Sequence, residues 1–336
     1  MTEKNISPLS LPEFRHFLSM RVFITFAFLI QYVVAGWEIY SITKDPLSLG
    51  LIGLAEAIPA IGIALYAGHL ADIGNKRNII IAALIGMFLS SLGLTIVTSN
   101  YFREINSDTL TVNLMYLFIF TTGLARGFYG PTATAFIAQL VNTRNVTETE
   151  NKNPEIGALH EGEIPIQEIK KVSNPVLVKA ATINSTAWQM SAIIGPALGG
   201  FIYAGFGMEI SMYSVLFCIV VGIFFLTLIQ SKPIIQANNT EPILLRLKQG
   251  IRFVFQNKIL LNALSLDMFA VLFGGAVALL PVFAEEILFC GPEGLGILRA
   301  APSVGAVLTM SYFSVRKIPG KVGTALLYAV AGFGIT

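Results

Sequence analysis

Long apolar stretches separated by short polar segments make up most of the chain. Eight of them come close to or exceed the roughly 20 residues that an α-helix needs to cross the hydrocarbon core of a bilayer. They lie at residues 19–43, 47–71, 78–98, 112–141, 178–205, 208–230, 259–284 and 294–314. A ninth begins near Gly323, and we expect it to be incomplete at Thr336 because a span needs at least about 17 residues. The pattern predicts an all-α integral membrane protein.

The order of the spans predicts two helical bundles. Residues 1–18 are expected to precede the membrane as a cytoplasmic segment, and residues 19–230 to form a bundle of six helices. Residues 231–258 alternate apolar and basic side chains, which favours a linker helix lying on the inner leaflet. Residues 259–336 would then hold the seventh and eighth helices and part of a ninth, as an incomplete second bundle.

A polar insert at residues 142–174 separates the fourth and fifth spans. It carries six glutamates with interspersed lysines, a composition typical of a solvated segment on the cytoplasmic side. It is either a tolerated insertion or a regulatory or partner-binding segment, and the sequence leaves both interpretations open.

Composition and charge agree with the membrane assignment. Hydrophobic residues make up 54% of the chain and charged residues 12%, and the mean hydropathy is +0.70, which is beyond the range of soluble proteins. The net charge of +2 is too small to indicate a nucleic-acid partner. With the N-terminus inside the cell, all but four of the 22 Lys and Arg residues are cytoplasmic or linker residues. The positive-inside rule therefore predicts a cytoplasmic N-terminus.

Five ionisable residues lie within the predicted spans: Glu38, Glu56, Arg126, Asp267 and Arg299. A charge near mid-bilayer costs at least about 2.5 kcal/mol on insertion scales, so it is retained where something compensates it. Asp267 is a candidate proton carrier, or else the structural partner of a cation. Arg126 could hold an anionic solute or pair with Glu38 or Glu56. Glu56, in the outer third of the second span, is itself a candidate for proton coupling.

Two of these five lie toward the ends of their spans. Glu38 stands beside Trp37 and Tyr40, so it is either interfacial or a further candidate for proton coupling. Arg299 is expected to extend its side chain outward to the membrane surface.

A charged turn, G-H-L-A-D-I-G-N-K-R, connects the second and third spans from Gly68 to Arg77. Charges can stand between spanning helices only where the turn reaches water. Asp72 is expected to accept hydrogen bonds from backbone N–H groups at the start of the third span. Lys76 and Arg77 are expected to face lipid phosphates or a helix C-terminus.

Small residues are concentrated in the fifth span, which reads I-I-G-P-A-L-G-G. Gly195 and Gly199 form a small-xxx-small face, Gly200 continues it one step round the helix, and Pro196 favours a bend. The face predicts close approach of another helix, either as ordinary packing or as a seal that limits leakage.

These segments resemble signatures of the major facilitator superfamily. The turn from Gly68 to Arg77 is similar to the cytoplasmic signature between helices 2 and 3, and the fifth span resembles the helix 5 signature of antiporters. Arg126, in G-L-A-R-G-F-Y-G-P, stands where exporters of this superfamily carry a membrane-embedded arginine. The stretch from Leu264 to Glu286 resembles the branch of enterobactin exporters and drug-efflux proteins.

The resemblance implies a major facilitator fold and proton-driven export of a small, drug-like or siderophore-like organic solute by alternating access. It implies a bacterial inner membrane, a monomer at full length, and twelve helices, so we expect this chain to be truncated. In the superfamily, residues matching Gly68, Asp72, Lys76 and Arg77 latch the two halves in one access state.

No nucleotide-binding loop or metal-ligand spacing is present in the sequence, so a proton gradient is the expected energy source, without a cofactor. Enzymatic activity is not expected. Two alternatives stay open: an uptake permease of the same fold, and a truncated, non-transporting membrane protein that acts as an interaction subunit.

Overall fold

The computed structural model describes residues 7–142, 175–231, 252–273, 275–315, 327–328 and 330–332. Across these ranges the secondary structure is helical, without a β-strand. The main helices are α1 (Pro12–Thr43), α2 (Pro46–Ile73), α3 (Lys76–Val97), α4 (Asn100–Ile105), α5 (Asp108–Asn142), α6 (Pro175–Thr227), α7 (Lys258–Phe273) and α8 (Gly291–Val315). Within the described ranges, five helices are long and apolar enough to cross a membrane: α1, α2, α3, α5 and α6. The predicted all-α membrane fold is confirmed.

The fifth and sixth predicted spans meet inside α6. Gly207 has φ 77° and ψ −174°, a non-helical conformation that a residue with a side chain rarely adopts. It divides α6 into an N-terminal limb, residues 175–206, and a C-terminal limb, residues 208–227. The predicted boundary between 178–205 and 208–230 therefore lies at the correct residue.

The first helix begins earlier than the apolar pattern predicts. α1 starts at Pro12 instead of near residue 19, so part of the segment assigned to residues 1–18 is helical. Proline suits the first turn because its missing N–H would have no helical acceptor there. Glu13 in the same turn places a negative charge near the positive end of the helix dipole.

The core of the first bundle surrounds α1, which packs along α6, while α5 packs between α2 and α3. Buried side chains run along α1 from Phe14 to Tyr40. Large apolar side chains on the outward faces, among them Ile61, Leu89 and Phe217, are exposed. Such faces are stable against lipid, because the helices satisfy their own backbone hydrogen bonds.

The seventh span is not the continuous helix that the sequence predicts over 259–284. α7 ends at Phe273, Gly275–Leu279 is a 3-10 helix, and a short α-helical turn leads into a π-helical turn at Phe283–Ile287. Glycine is a poor helix former, and Pro281 lacks the N–H that a continuing helix needs, so the apolar run breaks here. α8 extends the predicted 294–314 by a few residues at its start and packs on α6.

Several predicted segments lie outside the described residues. These are nearly all of the insert at 142–174 and most of the linker at 231–258, of which residues 252–256 are helical. Of the predicted ninth span, residues 327–328 and 330–332 are described, and they are helical.

Candidate functional site

A cavity of about 600 Å³ opens inside the first bundle, between α1, α2, α3, α5 and α6. Its volume lies in the range of small-molecule binding sites. The wall combines apolar side chains with four aromatic and three charged ones: Phe28, Tyr32, Tyr129, Trp188, Arg21, Glu56 and Arg126. Aromatic walls with a few charges suit an amphipathic organic molecule.

The guanidinium group of Arg126 forms an ion pair with the carboxylate of Glu56 in this wall. The guanidinium carbon also lies 3.4 Å from the centroid of the Phe28 ring, in cation–π contact. The Glu56 side chain is 16% exposed and that of Arg126 36%, so the pair is accessible from the cavity. Of the two partners that the sequence leaves open for Arg126, the structure selects Glu56.

Two glycines on α5 bring this pair together. A β-carbon on Gly123 would lie 2.3 Å from the carbonyl oxygen of Glu56, and one on Gly127 would lie 3.1 Å from that of Ala60. The backbones of α5 and α2 are therefore in direct contact beside Arg126. Neither glycine is among the predicted site residues, although the G-x-x-x-G spacing in G-L-A-R-G is the signal for them.

A buried polar cluster next to the cavity joins α1, α3 and α5. The hydroxyl of Ser91 donates to Oε1 of Gln31 at 2.6 Å, and Nε2 of Gln31 donates to the hydroxyl of Thr122 at 3.4 Å. Gln31 and Thr122 also line a small hollow that includes Glu56. This cluster is not predictable from the sequence, because single Gln, Ser and Thr residues are ordinary in apolar helices.

Arg299 connects the second half of the described chain to the wall of the cavity. Its Nη1 atom donates to the carbonyl oxygen of Tyr32 at 3.3 Å, and its guanidinium carbon lies 4.3 Å from the centroid of the Tyr32 ring. The residue is 9% exposed, so the expectation that it extends to the membrane surface is wrong. Gly36 leaves the space, since a β-carbon there would lie 3.3 Å from Nη2 of Arg299.

An aromatic pair links the two arginines. The rings of Phe28 and Tyr32, one helical turn apart on α1, stack with centroids 6.2 Å apart and an interplanar angle of 24°. Arg126 covers Phe28 and Arg299 covers Tyr32. We call these four residues the arginine–aromatic column.

Glu38 lies in a different environment from Glu56. It is 3% exposed, and its two carboxylate oxygens accept from Nη1 of Arg103 and from the hydroxyl of Tyr203, each at 2.6 Å. These contacts tie α1 to α4 and α6. Glu38 is therefore a buried, paired carboxylate that does not line the cavity.

Further contacts join α1 to the irregular segment before α8. The Tyr40 hydroxyl donates to Glu286, and the Lys44 ammonium group pairs with Glu285. An apolar cluster lies in the same interface and consists of Val33, Trp37, Ala284 and Leu295. We call this group of contacts, together with Arg299 on Tyr32, the inter-half contact.

The fifth-span glycines pack on both sides of the N-terminal limb of α6. β-Carbons on Gly195 and Gly199 would lie 2.9 Å from Cβ of Leu29 and 3.1 Å from Cα of Ile30, both on α1. A β-carbon on Gly200 would lie 3.0 Å from Cα of Gly296 on α8. The close helix approach predicted from the spacing is present, and its role as a seal stays a prediction.

A protein-family model described as a transmembrane secretion effector matches residues 3–152 and 166–334. The chain belongs to this family of the major facilitator superfamily. It is also 24% identical over 307 residues to the protein named uncharacterized MFS-type transporter YfiS of Bacillus subtilis (strain 168). That match covers 87% of this chain and 60% of the relative, so the chain spans about 60% of the length of this curated relative. The family is one of membrane transporters and not of enzymes.

In this member of the family, the turn between α2 and α3 contacts the end of α6. Asn75 caps α3, since its side-chain oxygen accepts a hydrogen bond from the N–H of Asn78. This is the role that the sequence predicts for Asp72. Nη2 of Arg77 donates at 3.2 Å to the carbonyl oxygen of Thr227, the last residue of α6. The prediction that this part of the turn meets a helix C-terminus is confirmed for Arg77.

The remaining members of the turn motif are placed as follows. Lys76 is buried and Asp72 is exposed. A β-carbon on Gly68 would meet nothing within 4 Å, so packing does not require glycine there. The latch role of the motif stays a prediction.

Asp267 is exposed on α7 and does not line the cavity. Its role as a proton carrier stays a prediction.

Proposed function

We propose that this protein is a secondary active transporter that exports a small organic solute in exchange for protons. The observation that carries the proposal is the cavity of about 600 Å³ inside a membrane bundle, with the Glu56–Arg126 ion pair in its wall. Membership of a transporter family supports it. We propose a bacterial cytoplasmic membrane and a cytoplasmic N-terminus, which the distribution of Lys and Arg supports.

Glu56 is the coupling carboxylate that the geometry favours. Protonation removes its negative charge, so the attraction to Arg126 is lost and the cavity gains one net positive charge. The charge of the binding site thus depends on the proton, as exchange of a proton for a solute requires. Glu38 is a weaker candidate because it is 3% exposed and does not line the cavity. Asp267 is a second candidate, from the other half.

The contacts between the two halves support alternating access. With the N-terminus in the cytoplasm, Tyr40 and Lys44 lie at the outer end of α1, where they bind Glu286 and Glu285. Arg21, nearer the cytoplasmic end of the same helix, lines the cavity. With that orientation, these contacts support a conformation that is closed outside, with its cavity toward the inner side.

Inside-out membrane vesicles that contain the full-length protein test this proposal. Respiration acidifies their lumen, so an exporter that exchanges protons accumulates its solute there. We would offer ethidium and carboxyfluorescein, a cationic and an anionic dye, and expect lumenal accumulation of at least one. Nigericin in potassium buffer, which collapses the pH gradient, should abolish it.

A matched pair of variants locates the coupling residue. Glu56→Gln should abolish the dependence on the pH gradient, whereas Glu104→Gln, an exposed carboxylate on α4, should leave it intact. Dye accumulation that is unchanged by nigericin would contradict proton coupling. Accumulation only in right-side-out vesicles would identify an uptake permease, and flux in neither orientation would favour a non-transporting protein.

A further inference from the structure

The cavity wall carries more positive than negative groups, and this difference bears on which solute the proposed transporter carries. Two guanidinium groups, those of Arg21 and Arg126, line the cavity together with one carboxylate, that of Glu56. Arg126 and Glu56 neutralise each other by direct contact. The part of the wall that the structure describes therefore keeps one positive charge, on Arg21.

The surroundings of Arg21 leave its charge available. Its guanidinium carbon lies 5.5 Å from the centroid of the Tyr129 ring, and the residue is half-buried. Among the described residues, no carboxylate lies within 4 Å of it, in contrast to Arg126 with Glu56 and Arg103 with Glu38. A half-buried guanidinium group in an apolar wall is stabilised by an anion.

A polar atom without a partner lies beside Arg21. Arg21, Asn184 and Trp188 line a narrow cleft between α1 and the N-terminal limb of α6. Oδ1 of Asn184 is buried and accepts no hydrogen bond from the described residues. The cleft has no room for a water molecule and Asn184 does not line the cavity, so this acceptor belongs to the contact between α1 and α6 and takes no part in binding the solute.

Aromatic rings beside Arg21 offer a surface for an apolar, flat part of the solute. Tyr129 and Trp188 line the same cavity, on α5 and α6. Flat aromatic molecules pack on such rings in stacked or edge-on geometry. A guanidinium group binds a carboxylate or sulfonate through two parallel N–H···O bonds.

We propose that the solute is an aromatic organic anion whose acidic group is bound by Arg21 and whose ring lies against Tyr129 and Trp188. The inference rests on the proposed function, since it names the occupant of the same cavity. The position of Arg21 toward the cytoplasmic end of α1 also concentrates anions at the inner mouth of the cavity.

Three probes with one ring system and different charges test the inference on the full-length protein in nanodiscs of zwitterionic lipid. They are anthracene-9-carboxylate, 9-anthracenemethanol and 9-(aminomethyl)anthracene, which carry a negative, a neutral and a positive substituent. Binding is measured by the fluorescence anisotropy of the probe. We expect the carboxylate to bind about tenfold more tightly than the alcohol, the gain of one charge-assisted hydrogen-bonded contact, and the ammonium probe to bind most weakly.

Variants of two arginines on α1 test whether Arg21 causes the preference for the carboxylate. Arg21→Gln should reduce the affinity for the carboxylate about tenfold, to that for the alcohol, and Arg21→Lys should retain a preference for the anion. Arg15→Gln is the matched control, because it removes the same charge from an exposed position on the same helix outside the cavity. It should leave all three affinities unchanged.

The outcomes separate this inference from the function on which it rests. Tighter binding of the ammonium probe, or an unchanged preference for the carboxylate in Arg21→Gln, overturns the anion assignment while leaving a solute cavity in place. If none of the three probes binds and neither dye is accumulated by vesicles, both the inference and the proposed function are overturned.

Discussion

Gly200 on α6 and Gly296 on α8 bring two helix backbones into direct contact. A β-carbon on Gly200 would lie 2.5 Å from the carbonyl oxygen of Pro292, and one on Gly296 would lie 2.7 Å from that of Pro196. Real β-carbons essentially never come within 3.0 Å of a heavy atom. A methyl group at either position therefore forces the two helices apart.

Gly200→Ala and Gly296→Ala should open the inter-half contact. Separation of α6 from α8 exposes the apolar cluster that contains Val33, which is 1% exposed in the described conformation. A Val33→Cys reporter, in a background without other reactive cysteines, should therefore react severalfold faster with a membrane-impermeant maleimide added outside. Gly205→Ala is the control, since a β-carbon there meets nothing within 4 Å. Equal labelling rates in all these variants would show that the glycine contact does not hold the inter-half contact closed.

Gly123→Ala should weaken the contact between α5 and α2. The added methyl group would overlap the carbonyl oxygen of Glu56, and overpacking of this kind costs about 1 to 3 kcal/mol. The unfolding midpoint in a denaturing detergent should fall accordingly. Gly130→Ala on the same helix, where a β-carbon meets open space, should leave the midpoint unchanged. A similar loss in both variants would trace the effect to helix α5 as a whole and not to its contact with α2.

The Glu56–Arg126 pair should show strong coupling in a double-mutant cycle. Each single change, Glu56→Gln or Arg126→Gln, leaves the other charge without its partner, and we expect a loss of about 1 to 3 kcal/mol of stability. The double variant should regain most of that loss, because no isolated charge remains. Additive losses, measured by unfolding in a denaturing detergent, would mean that the two side chains do not interact energetically.

Glu38→Gln should reduce stability without altering proton coupling. The change removes the ion pair with Arg103 while leaving an acceptor for the Tyr203 hydroxyl, so the connection between α1, α4 and α6 weakens. The unfolding midpoint should fall, whereas Glu104→Gln should leave it unchanged. Dye accumulation in inside-out vesicles should still require the pH gradient. Loss of that requirement in a stable Glu38→Gln protein would instead make Glu38 a coupling residue.

The spans were predictable from the sequence because the thickness of a bilayer sets the length of each apolar run. The break at Gly207 was predictable for the same reason, since 178–230 is too long for one span. The interruption after Phe273 is not predictable from hydropathy, because the run from 259 to 284 is apolar except for Asn262, Ser265 and Asp267, none of which lies at the break. Hydropathy does not register that Gly275 and Pro281 make a poor helix.

The partners of the charged residues were the least predictable part of the site. Arg126 had two possible carboxylates, and the choice depended on Gly123 and Gly127, which set the distance between α5 and α2. Arg299 was expected at the surface, because nothing near it in the sequence indicates that Gly36 leaves space for its side chain. Such pairings depend on helix packing across the bundle, which local patterns do not encode.

The arginine–aromatic column connects the wall of the cavity to the inter-half contact. A solute that draws Arg126 away from Phe28 removes the cation from the ring on which Tyr32 stacks. Tyr32 in turn makes the cation–π contact with Arg299. Thermodynamic linkage makes such an effect reciprocal. If an occupied cavity weakens the hold on Arg299 by a given factor, that hold weakens solute binding by the same factor, so binding of the solute itself favours opening of the inter-half contact.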